Sequence, residues 1–347
     1  MRGFGIVGCG MISEFHARAI EALPNAQLRA VYSRSEANAK RRGEQFNADW
    51  TTDLDRLLNR SDIDIVSVCS ASGAHADPTV AAAKAGKHVI VEKPLDISLE
   101  RIDAMIEACA EAGVQLSGVF QSRFHPTSQL LKKAVESGRF GRLTLAEATV
   151  KWWRSQEYYD EGGWKGTKAL DGGGALMNQS IHAIDLLQWL MGPAAEVAAF
   201  KDTLAHERID VEDTAAACVR FQNGALGVIQ GATSVHPGFF KKIEISGDRG
   251  SVVMEEENIA FWQFADETDE DERIRAEFAD QTQTGGGASD PSAISFEGHR
   301  RQFEAFIDQI ETGRSSGLDG TEARKAVEII HAIYRSAETR SFVPLPL

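Results

Sequence analysis

The chain has 347 residues, 43% hydrophobic and 25% charged, a composition typical of a folded globular protein with room for two domains. Its net charge of −14 argues against a nucleic-acid or anionic-membrane partner, and no uncharged apolar run approaches the roughly 20 residues of a membrane helix. The four cysteines are scattered without a CxxC pair, so we expect a reducing, cytoplasmic location and no metal site.

The first predicted strand, Phe4–Val7, leads directly into a glycine loop, Gly8–Ser13, and then into a helix that runs through Ile20. Nothing before this strand resembles a secretion signal. Two glycines let the backbone turn and approach a pyrophosphate, and the helix N-terminus supplies N–H groups and a positive dipole end. The loop therefore predicts a dinucleotide site. The expected cofactor contacts in it are Gly8, Gly10, Met11 and Ile12.

Strands and helices alternate over the following hundred residues. The predicted strands are Leu28–Tyr32, Ile63–Cys69, His88–Val91 and Val114–Val119, and the helices are Glu36–Phe46, Asp53–Asn59, Pro78–Ala85 and Leu99–Ala112. This alternation predicts a Rossmann domain, a doubly wound parallel sheet, for residues 1–121. Ligands bind such sheets outside the carboxyl ends of the strands, so the loops there are expected to line one cleft. Their candidate cofactor contacts are Ser33, Arg34, Ser70, Ala71, His75, Glu92, Lys93 and Gln121.

Ser33 and Arg34 follow the second strand, where an acidic residue would bind the ribose diol of NAD. A hydroxyl and a guanidinium instead suit a 2′-phosphate. The cofactor is therefore expected to be NAD or NADP, with NADP slightly favoured. The alternative is that Arg34 stacks on the adenine while NAD still binds.

Lys93 is the candidate reactive residue of this domain, within Glu92-Lys93-Pro94 at the end of a Val-Ile-Val strand. A partly desolvated ammonium beside a cationic nicotinamide loses proton affinity and can exchange protons near neutral pH. Pro94 restricts the Lys93 backbone to extended conformations. The alternative is a surface lysine at a turn.

Residues 122–347 are predicted to form an α+β domain, an open, largely antiparallel sheet with helices on one face. A helix near Ser128–Glu136 comes first, and Gln222-Asn223-Gly224 is a hairpin signal. The predicted strands are Leu143–Trp152, Ala195–Leu204, Thr214–Phe221, Ala225–Ala232, Lys241–Ser246, Ser251–Met254 and Asn258–Phe261. The outer sheet face is expected to pair subunits into a homo-oligomer, a dimer or tetramer. The closing helices, Glu297–Glu311 and Thr321–Ala337, are expected to pack back on the first domain.

One glycine-rich turn and helix, Asp171–Gly192, carries a polar stripe on an otherwise apolar helix predicted over Gly174–Met191. The stripe comprises Asn178, His182, Asp185 and Trp189. In an α-helix Asn178 and His182 stack one turn apart, about 6 Å along the axis. A buried polar pair is costly unless it faces a cleft or finds partners, so one interpretation is that this face of the helix lines a cleft. The alternative is a structural core histidine.

Two other segments stand out by composition. Lys151–Gly172 mixes aromatic residues with arginine and amides, which suits a sugar face, or a base and phosphate. The alternative is a packed aromatic loop. Asp266–Asp280 is strongly acidic and Thr282–Pro291 is rich in glycine, serine and threonine, so both are predicted to form one mobile, solvated loop. The candidate substrate contacts are Asn178, Arg154, Tyr158 and Trp164, together with Arg123 near the domain crossing.

Taken together, these motifs resemble the glucose–fructose oxidoreductase/inositol dehydrogenase (Gfo/Idh/MocA) family. The resemblance rests on Gly8-x-Gly10, Glu92-Lys93-Pro94, the glycines leading to His182, and the ending that starts at Tyr334. It implies that Lys93 and His182 are the catalytic pair. Many members have aspartate one turn before the histidine, where this chain has Asn178. The run from Trp153 to Tyr159 is similar to a narrower group that acts on C3 of nucleotide-sugar uronates.

The resemblance implies an NAD(P)-dependent dehydrogenase that transfers a hydride between the nicotinamide and a secondary alcohol or ketone of a sugar or sugar nucleotide. His182 would exchange the hydroxyl proton, Lys93 would stabilise the alkoxide, and Asn178 would orient the hydroxyl. His75 and Gln121 would help to position the substrate ring and the nicotinamide. The alternatives are a non-catalytic dinucleotide sensor of the same fold and an NAD-dependent glycosidase.

Overall fold

A computed structural model describes residues 1–161, 163–279 and 295–347. Their internal contacts divide the chain into two compact units. The first comprises Met1–Gln121, Ala169–Gly172 and Ser295–Arg324, and the second comprises Ser122–Lys168, Gly173–Ile294 and Lys325–Leu347. No helix in the described part of the chain is long and apolar enough to cross a membrane.

The first unit contains a six-stranded parallel sheet in the order β3-β2-β1-β4-β5-β6, which confirms the predicted doubly wound sheet. Its strands are β1 Arg2–Val7, β2 Ala26–Tyr32, β3 Asp49–Thr51, β4 Ile65–Val68, β5 His88–Val91 and β6 Leu116–Gly118. Its helices are α1 Ile12–Glu21, α2 Glu36–Gln45, α3 Leu54–Leu58, α4 Ala76–Lys84 and α5 Leu99–Ala112. The strand order reverses between β1 and β4, so the loops after these strands border the position where such sheets bind ligands. The short edge strand β3 was not predicted.

The core of this unit also uses a helix from far along the chain, α10 Glu297–Thr312. Phe303 is fully buried and stacks on Phe4 of β1, with ring centroids 5.9 Å apart. The Gln302 amide accepts the Phe120 N–H (3.1 Å) and donates to the Gly118 carbonyl (2.7 Å). These bonds satisfy main-chain groups at the end of β6 that the sheet leaves unpaired.

The second unit contains an eight-stranded sheet in the order β13-β12-β11-β7-β10-β9-β8-β14. Of the described strands in this sheet, only β7 and β10 pair in parallel, so the predicted open, largely antiparallel sheet is confirmed. The strands are β7 Leu143–Lys151, β8 Ala194–Asp202, β9 Thr214–Phe221, β10 Leu226–Ala232, β11 Lys242–Gly247, β12 Gly250–Glu255, β13 Asn258–Phe264 and β14 Val343–Pro344. The predicted hairpin joins β9 to β10, with Gly224 at φ +88°. The helices are α6 Pro126–Glu136, α7 Gln156–Asp160, α8 Ile181–Met191, α9 Asp269–Ala279 and α11 Gly320–Thr339, which begins in the first unit.

The polar-striped helix is not α-helical throughout. Ala175–Ser180 forms a π-helix, and the α-helix α8 begins only at Ile181. The Ser180 hydroxyl donates to the Ala175 carbonyl five residues earlier (2.7 Å), as the wider turn allows. The interpretation of one continuous α-helix was therefore wrong for this segment, since π-turns are set by tertiary contacts that periodicity does not report.

The acidic segment Asp266–Asp280 was wrongly predicted as a solvated loop, because most of it forms α9. Asp271 is fully buried and accepts hydrogen bonds from Trp262 Nε1 (2.6 Å) and from the Thr268 main chain (2.8 Å). It also forms an ion pair with Arg139. One internal carboxylate with several donors thus holds the helix against β13. The Thr282–Pro291 part of the prediction lies outside the described residues.

Candidate active site

The glycine loop after β1 has the geometry that a dinucleotide requires. Gly8 has φ +98°, and a Cβ there would lie 2.6 Å from the Cys69 carbonyl oxygen, so no other residue fits. A Cβ on Gly10 would meet no atom within 4 Å, so open space lies beside the loop. The Ser13 hydroxyl donates to the Gly10 carbonyl (2.6 Å) at the start of α1, while Met11 is exposed and Ile12 half-buried. This loop fits a pyrophosphate at the helix N-terminus.

Two arginines of α2 donate hydrogen bonds to main-chain carbonyls of the glycine loop. Arg42 is buried and donates to the Gly10 carbonyl (3.0 Å) and to Glu14 (2.9 Å), which lowers the Glu14 pKa. Arg41 donates to the Cys9 carbonyl (3.3 Å). Arg34, in contrast, is exposed after β2 beside the half-buried Ser33. Of the basic residues near this strand end, Arg34 is therefore the one best placed to meet a ribose or its phosphate.

The loop after β4 is fastened by His75. The imidazole is buried, with Nδ1 2.8 Å from the Pro94 carbonyl and Nε2 3.0 Å from the Ser70 carbonyl. Burial lowers the His75 pKa, although both carbonyls oppose this. The ligand contact expected of His75 stays a prediction, and in the structure both of its ring nitrogens face main-chain carbonyls. Ser70 and Ala71 remain half-buried at the carboxyl end of β4.

Glu92 is also turned inward rather than toward a ligand. Its Oε1 lies 2.7 Å from His16 Nε2, and its Oε2 accepts the Lys93 main-chain N–H (3.1 Å). Burial alone would raise the Glu92 pKa, but the hydrogen bond from His16 and the nearby His299 imidazole outweigh it and hold the pKa well below its usual range. The cofactor contact expected of Glu92 stays a prediction, and in the structure both carboxylate oxygens are bonded to protein groups. Lys93 is half-buried immediately after β5.

His16, Glu92 and His299 are also the one group among the described residues whose side chains could hold a metal ion, with ligand atoms within 4.8 Å of one another. The 2.7 Å between His16 and Glu92 is a hydrogen-bond distance. Two ligands of a tetrahedral zinc ion, each about 2.0–2.1 Å from it, would lie about 3.3 Å apart. The observed spacing suits a shared proton better than a shared ion.

Gln121 offers an acceptor that the described chain leaves unsatisfied. Its Oε1 is buried and has no hydrogen-bond partner. A buried amide oxygen without a partner is costly, so a ligand donor at this position would stabilise it. Gln121 begins the short helical turn Gln121–Phe124 after β6, at the carboxyl edge of the sheet.

In the second unit, Arg123, an expected substrate contact, pairs with a carboxylate of the protein. Its guanidinium forms two hydrogen bonds with Asp185, at 2.7 and 2.6 Å, and both side chains are buried. The Arg123 guanidinium also lies 5.4 Å from the centroid of the Trp189 ring. Asp185 of the polar stripe thus belongs to a structural ion pair. A buried arginine requires a charge partner, and residue spacing in the sequence does not show which residue that is.

Three of the other expected substrate residues, Arg154, Tyr158 and Asn178, meet around Gln179. The Arg154 guanidinium donates to Gln179 Oε1 (3.0 Å), and Gln179 Nε2 donates to the Tyr158 hydroxyl (3.2 Å) and to Asn178 Oδ1 (3.3 Å). One amide therefore links three candidate contacts from two segments. Sequence reasoning missed Gln179, although it is adjacent to Asn178 in the motif.

Aromatic and cationic groups surround this network. Lys165 Nζ lies 3.9 Å from the centre of the Tyr158 ring, and the Arg154 guanidinium lies 5.5 Å from it. Trp164 is half-buried in the same segment, with its carbonyl accepting the Thr167 hydroxyl (2.6 Å). Tyr159 instead packs inward, its hydroxyl 2.8 Å from Thr233 Oγ1. The segment is partly core and partly a polar, aromatic surface.

The start of the π-helix is anchored by Glu212, which sequence reasoning also missed. Its carboxylate accepts the N–H groups of Gly174 (3.0 Å) and Leu176 (2.9 Å) and the Tyr334 hydroxyl (2.9 Å). A Cβ on Gly174 would overlap the Glu212 carbonyl oxygen, which explains this glycine. Burial raises the Glu212 pKa, although these donors oppose it. Glu212 thereby fixes the segment that carries the half-buried Asn178 and His182.

The parallel sheet and its glycine loop define a dinucleotide-binding enzyme fold. Two family models match the chain: the NAD-binding Rossmann fold of an oxidoreductase family over residues 2–120, and the GFO/IDH/MocA C-terminal domain over residues 128–253. The chain belongs to the Gfo/Idh/MocA family of NAD-binding oxidoreductases.

Relatives of known structure or activity are similar to this chain over nearly its whole length. It is 34% identical to the WlbA dehydrogenase from Bordetella pertussis, solved with NADH and UDP-GlcNAcA, with a TM-score of 0.90 and coverage of 100% of this chain and 98% of that one. A levoglucosan dehydrogenase, solved with NADH and levoglucosan, is 26% identical, with a TM-score of 0.86 and full coverage of both chains. Myo-inositol 2-dehydrogenase of Thermotoga maritima is 28% identical, with 98% of each chain covered.

Proposed function

We propose that this protein is a dehydrogenase that oxidises a secondary alcohol of a sugar nucleotide, or reduces the corresponding ketone, with Lys93 and His182 as its catalytic residues. The observation that carries the proposal is the placement of Lys93. It is half-buried directly after β5, and Glu92 holds its main-chain N–H. The relatives that share the whole fold include dehydrogenases solved with NADH and a sugar substrate.

The residues that would hold the dinucleotide are the glycine loop, Ser33 and Arg34, Ser70 and Ala71, and Gln121. When bound, the nicotinamide supplies or accepts the hydride. His182 accepts the hydroxyl proton during oxidation and returns it during reduction. Lys93 places a positive charge beside the developing alkoxide and so stabilises the transition state. Asn178 orients the hydroxyl, and its own amide is held by Gln179.

The substrate class we propose is a nucleotide-sugar uronate oxidised at C3. Such a molecule presents a carboxylate, a diphosphate and a base, and the second unit offers a matching set. Arg154 and Lys165 are cationic, Tyr158 and Trp164 are aromatic, and Gln179 connects Arg154 to Tyr158. The WlbA relative was solved with a substrate of this class.

For the cofactor, we propose that the enzyme uses NADP as well as NAD and prefers NADP. The two residues directly after β2 are Ser33 and Arg34 rather than an acidic residue, and Arg34 is exposed beside the hydroxyl of Ser33. The neighbouring Arg42 is already engaged with Gly10 and Glu14, so the preference depends on Arg34.

The test is a matrix of NAD and NADP against UDP-sugar uronates, free sugars and inositols, followed at 340 nm. We expect turnover with a UDP-sugar uronate, and we expect Lys93→Met to lower kcat by about 10²- to 10⁴-fold while NADH affinity is nearly kept. The exposed Lys84→Met is the matched control and should behave like the unmodified protein.

Dinucleotide binding without turnover would favour a sensor, and sugar release without net cofactor reduction would favour a glycosidase. Unchanged kcat in Lys93→Met would remove the lysine from the mechanism.

A further inference from the structure

A continuous line of buried hydrogen bonds crosses the first unit and ends at Lys93. Ser67 Oγ lies 2.6 Å from His16 Nδ1, and His16 Nε2 lies 2.7 Å from Glu92 Oε1. Glu92 Oε2 then accepts the Lys93 main-chain N–H (3.1 Å). Ser67 and His16 are fully buried, and Glu92 is 5% exposed. The line connects β4, α1 and the end of β5.

The donor and the acceptor of each hydrogen bond between Ser67, His16 and Glu92 can be assigned. Burial lowers the His16 pKa, despite the opposing effect of Glu92, so the ring is neutral, while the Glu92 carboxyl is charged. A charged carboxylate only accepts, so His16 must donate from Nε2–H. Nδ1 is then an acceptor, and the Ser67 hydroxyl donates to it. Cys69 Sγ lies 3.3 Å from the same Nδ1, but a thiol is a weaker donor than the Ser67 hydroxyl, so this arrangement satisfies each group in the line.

Two further contacts restrict the loop that carries Lys93. His299 of α10 is buried, with Nε2 3.5 Å from Glu92 Oε1 and its ring 5.2 Å from that of His16. On the other side of Lys93, the Pro94 carbonyl lies 2.8 Å from His75 Nδ1. Glu92 and Pro94, on either side of Lys93, are therefore both hydrogen-bonded to buried imidazoles. One Glu92 oxygen contacts His16, and the other accepts the Lys93 N–H.

We propose that Glu92, oriented by His16 and His299, is a positioning residue that fixes Lys93 beside the developing alkoxide of the substrate, rather than a cofactor contact. The inference rests on the proposed function, since it assigns Glu92 an effect on turnover through Lys93. A carboxylate bonded on both oxygens restricts rotation of the main chain that carries the lysine, and small misplacements of catalytic groups are costly.

The test is a double-mutant cycle on kcat that uses Glu92→Ala, Lys93→Met and the combined variant. We expect Glu92→Ala alone to lower kcat by about 30- to 100-fold while the dissociation constant for NADH changes by less than about threefold. In the Lys93→Met background the same change should alter the residual kcat by less than about threefold. The exposed Glu107→Ala in α5 is the matched control. Thermal unfolding of each variant separates lost stability from lost turnover.

Glu92→Gln should rescue most of the activity lost in Glu92→Ala. The amide oxygen can still accept the Lys93 N–H, and the amide NH₂ can donate to His16 if the imidazole changes tautomer and Nδ1–H donates to Ser67. Nitrogen-15 NMR of the imidazoles reads this directly, with the proton on Nε2 of His16 in the unmodified protein and on Nδ1 in Glu92→Gln. If Glu92→Ala does not fold, His16→Gln replaces it in the cycle and must show the same dependence on Lys93.

The outcomes distinguish the two proposals. If Lys93→Met leaves kcat unchanged, the proposed function fails and the inference fails with it. If Lys93→Met is impaired but the effects of Glu92→Ala and Lys93→Met multiply, the dehydrogenase stands and the positioning role is overturned. A stoichiometric transition metal in the purified protein that is lost in Glu92→Ala would also overturn it, because the three side chains would then be a metal site.

Discussion

At the scale of single residues, the structure shows that several polar residues expected to bind ligands are instead paired inside the protein. Arg123, His75 and Glu92 are candidate ligand contacts in the sequence, yet each is buried and bonded to protein groups. Burying a charge is tolerable only when it is paired, and the partner comes from a distant segment. Arg34 differs because it is exposed, and it is therefore the residue on which the proposed cofactor preference can be tested.

We expect Arg34→Asp to lower kcat/KM with NADP by about 10- to 100-fold, because a charge-assisted contact worth about 1.5–3 kcal/mol becomes a repulsion with the 2′-phosphate. The value with NAD should change much less, since a carboxylate can bind the ribose diol. Steady-state kinetics with both cofactors measure the ratio. Lys40→Asp, on an exposed position of α2, is the control. An unchanged NADP/NAD ratio in Arg34→Asp would contradict the proposal.

At the scale of secondary-structure elements, the helix that carries Asn178 and His182 depends on groups outside itself. Glu212 satisfies N–H groups at its start, which otherwise have no partner within the helix. Gly231 of β10 also lies so close that a Cβ there would be 2.6 Å from Ser180 Oγ. The π-helical turn is thus stabilised by tertiary contacts, as is common at functional sites.

We expect Glu212→Gln to lower the free energy of unfolding by about 2–3 kcal/mol, because an amide NH₂ would face a buried N–H donor. Tyr334→Phe removes one donor from the same carboxylate and should cost only about 1 kcal/mol. Urea unfolding followed by fluorescence measures both variants. Equal stability of Glu212→Gln and the unmodified protein would show that this carboxylate does not anchor the helix.

The helix α9 provides a pH-dependent test. Arg139, with help from Trp262 and Thr268, holds the Asp271 pKa far below its usual range despite the opposing effect of burial. A carboxyl whose folded pKa is lowered contributes stability above its unfolded pKa of about 3.9 and loses that contribution as the pH falls towards the folded value. Asp271→Asn should therefore cost about 2 kcal/mol at pH 7 and progressively less below about pH 4. Urea unfolding from pH 7 to 3 measures the difference, and a constant difference would contradict this assignment.

At the scale of the whole molecule, the second unit carries an apolar sheet face that the described chain leaves exposed. Leu145, Phe200 and Leu226 lie on β7, β8 and β10 and are 50%, 81% and 48% exposed. The strand register places Leu145 opposite Leu226 and puts Phe200 on the same face. Large exposed apolar patches mark interaction surfaces, and we propose that this face pairs copies of the chain.

We expect the double substitution Phe200→Glu and Leu226→Glu to reduce the subunit number measured by light scattering after size exclusion, because burying two carboxylates in an apolar interface is unfavourable. Trp50→Glu changes an exposed aromatic residue of the first unit and serves as the control. A monomeric unmodified protein, or an assembly that the double variant leaves intact, would contradict the proposed interface.

The sequence alone determined the features that depend on local order. The spacing of glycines after β1, the alternation of short strands with helices, and the Asn-Gly turn between β9 and β10 are each set by backbone conformations available to neighbouring residues. They led correctly to a parallel sheet followed by a largely antiparallel one. The same local patterns located Lys93 at a strand end, where the structure also has it.

Only the tertiary structure decided which polar groups meet. Glu92 and His16 are 76 residues apart, Arg123 and Asp185 are 62 apart, and Gly174 and Glu212 are 38 apart. The core of the first unit likewise takes Phe303 from nearly two hundred residues beyond its sheet. Pairings at such separations are selected by the cost of burying an unpartnered charge or amide, and that cost arises only when the chain is folded.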